Sequence, residues 1–200
     1  MTPIAIATED QLSEAIALRL IADISTPHFV QHKLGRRGNG YLRSRMGSWY
    51  QMAQQQVMVV LTDLDRANCL VEFRDQWLAS EPPDSLLLRI AVREVESWVL
   101  ADHVAMRVLI GAKGVMPVAP DELPDPKQAL LRLAKGAPKQ VRDDLLKTID
   151  GHLSPGLGYN ARLSEWVNCV WNPQRAAARS PSLARARLRL NEVVSAFAFP

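Results

Sequence analysis

Residues 57–65 of the chain read VMVVLTDLD and decide its predicted fold. The first five residues are all apolar, and a short apolar run is typical of a strand buried on both faces of a parallel sheet. Asp63 and Asp65 follow at the carboxyl end of this strand, where open α/β sheets place their ligands. Residues i and i+2 of an extended chain point the same way, so the two carboxylates repel each other unless a cation lies between them. Because Mg²⁺ prefers carboxylate oxygens and retains several waters, the pair indicates a magnesium site.

The flanking sequence predicts further strands and helices in alternation. Apolar runs predict strands at residues 2–8, 26–34 and 85–92. Apolar residues at helical spacing predict helices at residues 10–23, 41–55, 67–79 and from about 98 to 109. This alternation favours an α/β fold with a mostly parallel four-stranded sheet flanked by helices, which we assign to residues 1–112.

The character of the chain changes after residue 111, where proline and glycine become frequent. Beyond this loop the sequence predicts only helices, at residues 126–134, 138–149, 159–170 and 182–197. We therefore predict that residues 113–200 form a helical C-terminal extension packed on the sheet domain.

Composition excludes several classes of protein. The chain has 200 residues, of which 48% are hydrophobic, so it is long and apolar enough for a sizeable core. No apolar run approaches the ~18 residues of a membrane helix, and the first ten residues lack the basic region of a signal peptide. Cys69 and Cys169 are far apart and are predicted to be free thiols in a cytoplasmic protein. The net charge is only +3, but the basic residues cluster.

Acidic residues follow three of the predicted strands. Glu9 follows the first strand, the Asp63/Asp65 pair follows the apolar run, and Glu94 and Glu96 follow the strand at 85–92. If these strands are neighbours, their carboxyl ends bring the acids into one crevice. The alternative is local: each acid could instead cap or begin a helix.

A glycine- and arginine-rich segment, GRRGNGYLRSR, occupies residues 35–45. Its arginines are Arg36, Arg37, Arg43 and Arg45. Glycine-rich backbone beside arginine suits the approach of a phosphate, so these four residues are candidates for nucleic-acid binding. No GK[ST] closes the segment, which excludes a Walker A loop. A solvated turn is the alternative.

The segments ATEDQLSE, VVLTDLDRA, VREVESWVLAD and LPDPKQALLRL together resemble small bacterial Toprim-like proteins of uncharacterised function. That family is related to the Toprim domains of topoisomerases, bacterial primases and the overcoming-lysogenization-defect nucleases. The resemblance covers roughly residues 3–135. It matches Glu9 to the Toprim glutamate and Glu94, Glu96 and Trp98 to an E-x-E-x-W motif. The glycine that usually follows the first glutamate is Asp10 here.

The resemblance implies phosphoryl transfer on nucleic acid that depends on Mg²⁺ or Mn²⁺. It implies that Glu9, Asp63 and Asp65 hold the metal. Glu94 or Glu96 would hold a second metal or act as a base, and Lys127 of the D-P-K motif would contact a phosphate or stabilise charge. It also implies a nuclease-type effector in anti-phage defence, with a separate ATPase as partner.

Other functions stay open at the level of sequence. The chain could be a Toprim fold with degenerate acids that serves as a sensor or regulatory subunit, and the missing glycine after Glu9 favours this. A haloacid-dehalogenase phosphatase and a DxD glycosyltransferase are two further DxD enzymes, although the position of the motif after a later strand disfavours the phosphatase. The histidines show no metal-ligand spacing, Trp98 is expected in the core, and a homo-oligomer is left open.

Overall fold

The computed structural model describes residues 1–78 and 80–198, and within them the chain forms a parallel sheet flanked by helices. The sheet consists of β1 (Thr2–Thr8), β2 (His28–Gly35), β3 (Val57–Asp63) and β4 (Leu86–Ala91), in the spatial order β2-β1-β3-β4. All three strand pairings are parallel. The α/β class and the four-stranded sheet of the sequence prediction are confirmed.

Eleven α-helices are described. They are α1 (Gln11–Ile21), α2 (Gly38–Ser44), α3 (Met46–Met52), α4 (Leu70–Trp77), α5 (Glu96–Ala101), α6 (His103–Ile110), α7 (Pro126–Ala134), α8 (Lys139–Leu145), α9 (Tyr159–Cys169), α10 (Pro173–Ala177) and α11 (Pro181–Ala198). A 3-10 turn spans Pro120–Glu122, and a separate antiparallel hairpin pairs β5 (Leu146–Ile149) with β6 (His152–Pro155). Among the described residues, no helix combines the length and the apolar character needed to cross a membrane.

Alternate residues of the central strands face two different hydrophobic layers. Ile4 and Ile6 of β1 face the layer of α1, α5, α6, α7, α9 and α11, whereas Ala5 and Ala7 face the layer of α2, α3 and α4. The same alternation in β3 explains why residues 57–61 are all buried, since both faces of the strand are covered. Helices from before and after residue 112 contribute to the first layer, with Trp98 and Trp171 both buried in it.

Three predicted helices differ from the structure. Residues 146–149 form a strand rather than the end of a helix, because Asp150 and Gly151 both adopt positive φ and close a hairpin. The predicted helix at 41–55 begins earlier, at Gly38, and breaks at Arg45. The predicted helix after residue 98 is divided at Asp102, whose side chain caps α6. The predicted helix at 67–79 corresponds to α4, and Ala79 lies outside the described residues.

Gly35 ends β2 in a conformation that a larger residue cannot adopt. Its φ is +98°, and a Cβ at this position would lie 2.2 Å from the carbonyl oxygen of Thr8. We expect Gly35→Ala to lower the free energy of unfolding by about 2 kcal/mol or more. Gly40→Ala is the matched control, because no atom lies within 4 Å of its Cβ and alanine favours the helix. Urea unfolding checks the pair, and equal stabilities would contradict the close packing of Gly35 on β1.

Candidate functional site

The order of the strands creates a crevice at the carboxyl end of the sheet. From β1 the chain proceeds to β2 on one side, and it later returns to place β3 on the other side. Ligands of open α/β sheets bind at this kind of topological switch point. Glu9 follows β1 and Asp63 ends β3, so the two acids lie on opposite sides of the switch point.

Glu9 is fixed across the switch point by the end of β3. Its Oε1 accepts hydrogen bonds from the hydroxyl of Thr62 and from the backbone N–H of Asp63, the second at 2.9 Å. Burial raises the pKa of Glu9, and the nearby carboxylates of Asp65 and Asp10 act in the same direction. Asp10 itself caps α1 by accepting from the N–H of Ser13 at 2.8 Å.

Asp63 and Asp65 have different environments. The Oδ1 of Asp63 accepts a hydrogen bond from the backbone N–H of Val95 at 2.9 Å, which ties β3 to the start of α5. Burial, Glu96 and Glu9 raise the pKa of Asp63 well above its ordinary value. Asp65 as a whole residue is exposed, but its carboxylate is partly shielded from solvent. This partial burial and the nearby carboxylate of Glu94 raise the pKa of Asp65.

Glu94 and Glu96 meet Lys127, the second residue of α7. Both oxygens of Glu94 accept from Lys127, one from its backbone N–H at 2.9 Å and one from Nζ at 3.0 Å. The same Nζ lies 3.5 Å from Oε1 of Glu96. The carboxylates of Glu96 and Glu94 outweigh the effect of burial and raise the pKa of Lys127 above its ordinary value.

Glu96 is the most buried acid of the group, with a relative exposure of 2%. Its Oε1 accepts a hydrogen bond from the hydroxyl of Tyr159 at 2.8 Å, whereas its Oε2 has no partner among the described residues. Burial raises the pKa of Glu96 to about 7, although Lys127 acts in the opposite direction. Tyr159 begins α9 and was not predicted; it lies 63 positions beyond Glu96, and no motif in the sequence connects the two.

We call Glu9, Asp63, Asp65, Glu94 and Glu96 the acidic crevice. The pKa values of Glu9, Asp63, Asp65 and Glu96 are each raised in part by a neighbouring carboxylate, and Lys127 is the ammonium group placed among them. The structure thus brings together all six residues that the sequence analysis assigned to metal binding or catalysis. Five acids face Lys127, with Arg66 acting on Asp65 as well, so the crevice is under-neutralised. Burial first, and then repulsion between the carboxylates, raise the pKa values of four of the acids.

Strained backbone flanks the crevice. Asp65 and Arg93 have φ values of +51° and +62°, and the loops that carry them are joined by a hydrogen bond from the N–H of Asp65 to the carbonyl of Arg93 at 2.7 Å. A guanidinium nitrogen of Arg93 also donates to the carbonyl of Ala67 at 3.1 Å. Positive φ at residues other than glycine costs on the order of 1–3 kcal/mol and concentrates at functional sites.

The four predicted nucleic-acid-binding arginines follow the end of β2, on and around α2, but have different contacts. Arg36 also has positive φ, its backbone N–H donates to the carbonyl of Thr8 at 2.7 Å, and its side chain pairs with Glu14. Arg37 lies over the ring of Tyr41, 5.2 Å from the ring centre. Arg43 and Arg45 are exposed on and after α2, without a carboxylate partner in the described part of the chain.

The donor set fits a hard divalent cation in its chemistry. Glu9, Asp63 and Asp65 each keep one carboxylate oxygen or more that accepts no hydrogen bond from the described residues. However, within residues 1–78 and 80–198, no three histidine, cysteine, aspartate or glutamate side chains form a ready metal-binding group. Mg²⁺ often binds through one or two carboxylates and completes its shell with waters and substrate phosphates, so it does not require such a group.

Comparisons with protein-family models, with curated proteins and with solved structures gave no match to this chain. The functional interpretation therefore depends on the geometry of the acidic crevice and on the sequence motifs that form it.

Proposed function

We propose that this chain is a Toprim-like protein that carries out Mg²⁺- or Mn²⁺-dependent phosphoryl transfer on nucleic acid, as a nuclease-type effector. The observation that carries the proposal is the under-neutralised acidic crevice at the switch point of a parallel sheet. Five carboxylates from three strand ends surround one ammonium group, and burial raises the pKa of Glu96 to about 7. Such an arrangement is costly in a folded protein unless it serves binding or catalysis.

The proposed roles follow from the contacts of each side chain. Asp65, Asp63 and Glu9 would hold the divalent cation, because they retain oxygens without hydrogen bonds. When bound, the cation would orient a water and stabilise the leaving oxygen of a phosphodiester. Glu94 and Glu96 hold the ammonium of Lys127, with its Nζ 3.0 Å from Glu94, so that Lys127 could contact a phosphate oxygen of the substrate.

The exposed arginines near β1 would bind the nucleic-acid backbone. Arg37, Arg43 and Arg45 are exposed, and the loop that contains Arg36 is hydrogen-bonded to the end of β1 next to Glu9. Phosphate contacts of this kind would make binding fall steeply with salt concentration. A cytoplasmic role in anti-phage defence with an ATPase partner is part of the proposal and depends on the family resemblance alone.

The decisive variant for catalysis is Asp65→Asn. Asp65 is exposed and its carboxylate accepts no hydrogen bond within the described residues, and asparagine tolerates its positive φ, so the fold should persist. We expect wild-type protein to cleave supercoiled plasmid or RNA in Mg²⁺ or Mn²⁺, to be inactive in EDTA, and to lose about 100-fold or more of its rate in the variant. Asp143→Asn is the control, because Asp143 is an exposed acid on α8. Cleavage that survives in Asp65→Asn would contradict the assigned roles.

A second candidate function is favoured by the contacts of Lys127. Its Nζ lies 3.0 Å from Glu94 and 3.5 Å from Glu96, so an internal ion-pair network already supplies one positive charge to the crevice. This would suit a catalytically inactive Toprim-fold sensor or regulatory subunit that needs no metal. Absence of both divalent-cation binding and cleavage in the wild-type protein would favour this second function.

A further inference from the structure

The open edge of the sheet at β4 lies at the floor of a groove. β4 is the last strand in the order β2-β1-β3-β4, so one of its two hydrogen-bonding edges has no neighbouring strand from residues 1–78 or 80–198. α4 packs on one face of the sheet and α11 on the other. Two cavities, of about 150 and 470 Å³, lie along β4 and share Arg74, Leu88 and Arg89 in their linings. An uncovered edge strand is a template for the addition of another strand.

Arg89 is the central charged residue of this groove. Its side chain leaves the middle of β4, and its Nε donates a hydrogen bond to the carbonyl of Leu88 at 2.8 Å. It is only partly exposed, and it forms no ion pair with any carboxylate in the described residues. Arginine that is largely removed from water is usually paired with an anion, because burying an unpaired charge is costly. The position therefore favours an anionic group supplied from outside.

Charge is distributed unevenly along the groove. The smaller cavity, next to Val92 at the carboxyl end of β4, is lined by Arg74, Arg89 and Arg185, and no acid lines it in the described part of the chain. Arg74 pairs with Asp75 at 2.8 Å, so Arg89 and Arg185 carry the unpaired positive charge. The larger cavity is lined by acids as well as arginines; the acids are Asp75, Glu81 and Asp84.

We propose that the edge of β4 binds an extended acidic segment of a partner protein as an added strand, with the carboxylates of that segment at Arg89 and Arg185. The backbone of the segment would pair with the outward edge of β4, where the carbonyl of Leu88 now accepts from Arg89 and the N–H of Leu86 donates to Pro83 at 2.8 Å. Leu88 and Ile90 would contact alternate side chains of the segment. Because the acids of the larger cavity would repel further carboxylates, the residues of the segment at the amino end of β4 would be neutral or basic.

The groove suits this ligand better than two others. A nucleic-acid strand would bring its continuous phosphate charge against Asp75, Glu81 and Asp84, and neither cavity is lined by an aromatic side chain among the described residues, so base stacking has no platform. A second copy of the chain would present the same edge flanked by the same two helices. The helices of the two copies would collide while the two β4 edges were still farther apart than the strand spacing of about 4.8 Å.

The test uses the full chain and a fluorescent, end-blocked peptide of eight residues in which glutamate alternates with valine in one half and threonine alternates with valine in the other. We expect saturable binding in fluorescence anisotropy and slower hydrogen exchange of the β4 amides. Arg89→Gln and Arg185→Gln should each weaken binding by about 10-fold, whereas Arg142→Gln, which removes a partly exposed arginine outside the groove, should not change it. A peptide with glutamine in place of glutamate should bind about 10-fold more weakly. Arg185 is exposed on α11, so its variant remains informative if Arg89→Gln fails to fold.

Three results would overturn the proposal. The first is no saturable binding of the peptide up to about 1 mM. The second is binding that neither arginine variant weakens. The third is a different ligand at the same groove: either a single-stranded oligonucleotide whose binding depends on Arg89 and Arg185 while the peptide does not bind, or a wild-type dimer that Arg185→Gln dissociates. None of these outcomes depends on the acidic crevice, so this test and that of the proposed function are independent.

Discussion

Lys127→Gln is expected to lower the free energy of unfolding by about 2–4 kcal/mol at pH 8. Removing one partner of a buried ion pair leaves the other charge uncompensated, and Glu96 has a relative exposure of 2%. The side chain of Lys127 is 35% exposed, so solvent screens part of the interaction and the expected loss is smaller than for a fully buried pair. The loss should decrease as the pH is lowered towards 5, because protonated carboxyls no longer need the ammonium group.

Lys139→Gln is the matched control for this prediction. Lys139 begins α8, is exposed and forms no ion pair within the described residues, so its replacement should change stability by less than about 0.5 kcal/mol. Urea unfolding of both variants at pH 8 and pH 5 provides the comparison. Equal stabilities of the two variants at pH 8 would show that Lys127 does not neutralise the acidic crevice.

Glu96→Gln is expected to remove much of the pH dependence of stability. Burial raises the pKa of Glu96 from 4.5 to about 7 in the folded protein, so folding takes up a proton between these two values. The group therefore contributes stability below pH 4.5, and this contribution is lost as the pH rises to about 7. At 1.36 kcal/mol per pH unit, the loss is roughly 3 kcal/mol.

The comparison between Glu96→Gln and wild type measures this contribution together with the part of the raised Asp63 pKa that Glu96 causes, whereas the part that burial of Asp63 causes remains in both proteins. The difference in unfolding free energy should shift by roughly 3 kcal/mol in favour of the variant between pH 4.5 and 7. Glu165→Gln should run parallel to wild type, because the side chain of Glu165 is 71% exposed. Parallel curves for wild type and Glu96→Gln would mean that Glu96 is ionised at its ordinary pKa.

The positions of the acids could be predicted because they depend on local pattern and on parallel pairing. The apolar run at residues 57–61 predicts a central strand, and the alternation of strands and helices puts the carboxyl ends on one side of the sheet. The acids after β1, β3 and β4 then had to meet. The hairpin at residues 146–155 was missed, although the Asp150–Gly151 pair is a strong signal for a tight turn between strands.

The hydrogen bonds and ion pairs that hold Glu94 and Glu96 in place could not be predicted, because their partners lie far away along the chain. Tyr159 donates to Glu96 across 63 positions, and Lys127 reaches Glu94 across 33. No periodicity or spacing encodes these contacts, since they depend on how α7 and α9 pack against the start of α5. The pairing of Arg36 with Glu14 is a similar case, and it gives one of the four predicted nucleic-acid-binding arginines a carboxylate partner within the chain.

Calorimetric titration of Mg²⁺ into the wild-type protein and into Asp65→Asn at pH 8 tests the central claim most directly. If the acidic crevice is an incomplete site for a divalent cation, the wild type should show saturable binding, and the variant should bind at least about 10-fold more weakly while it keeps the unfolding profile of the wild type. Absence of binding in the wild type, or equal binding by both proteins, would contradict the account. The five acids would then be a structural network around Lys127.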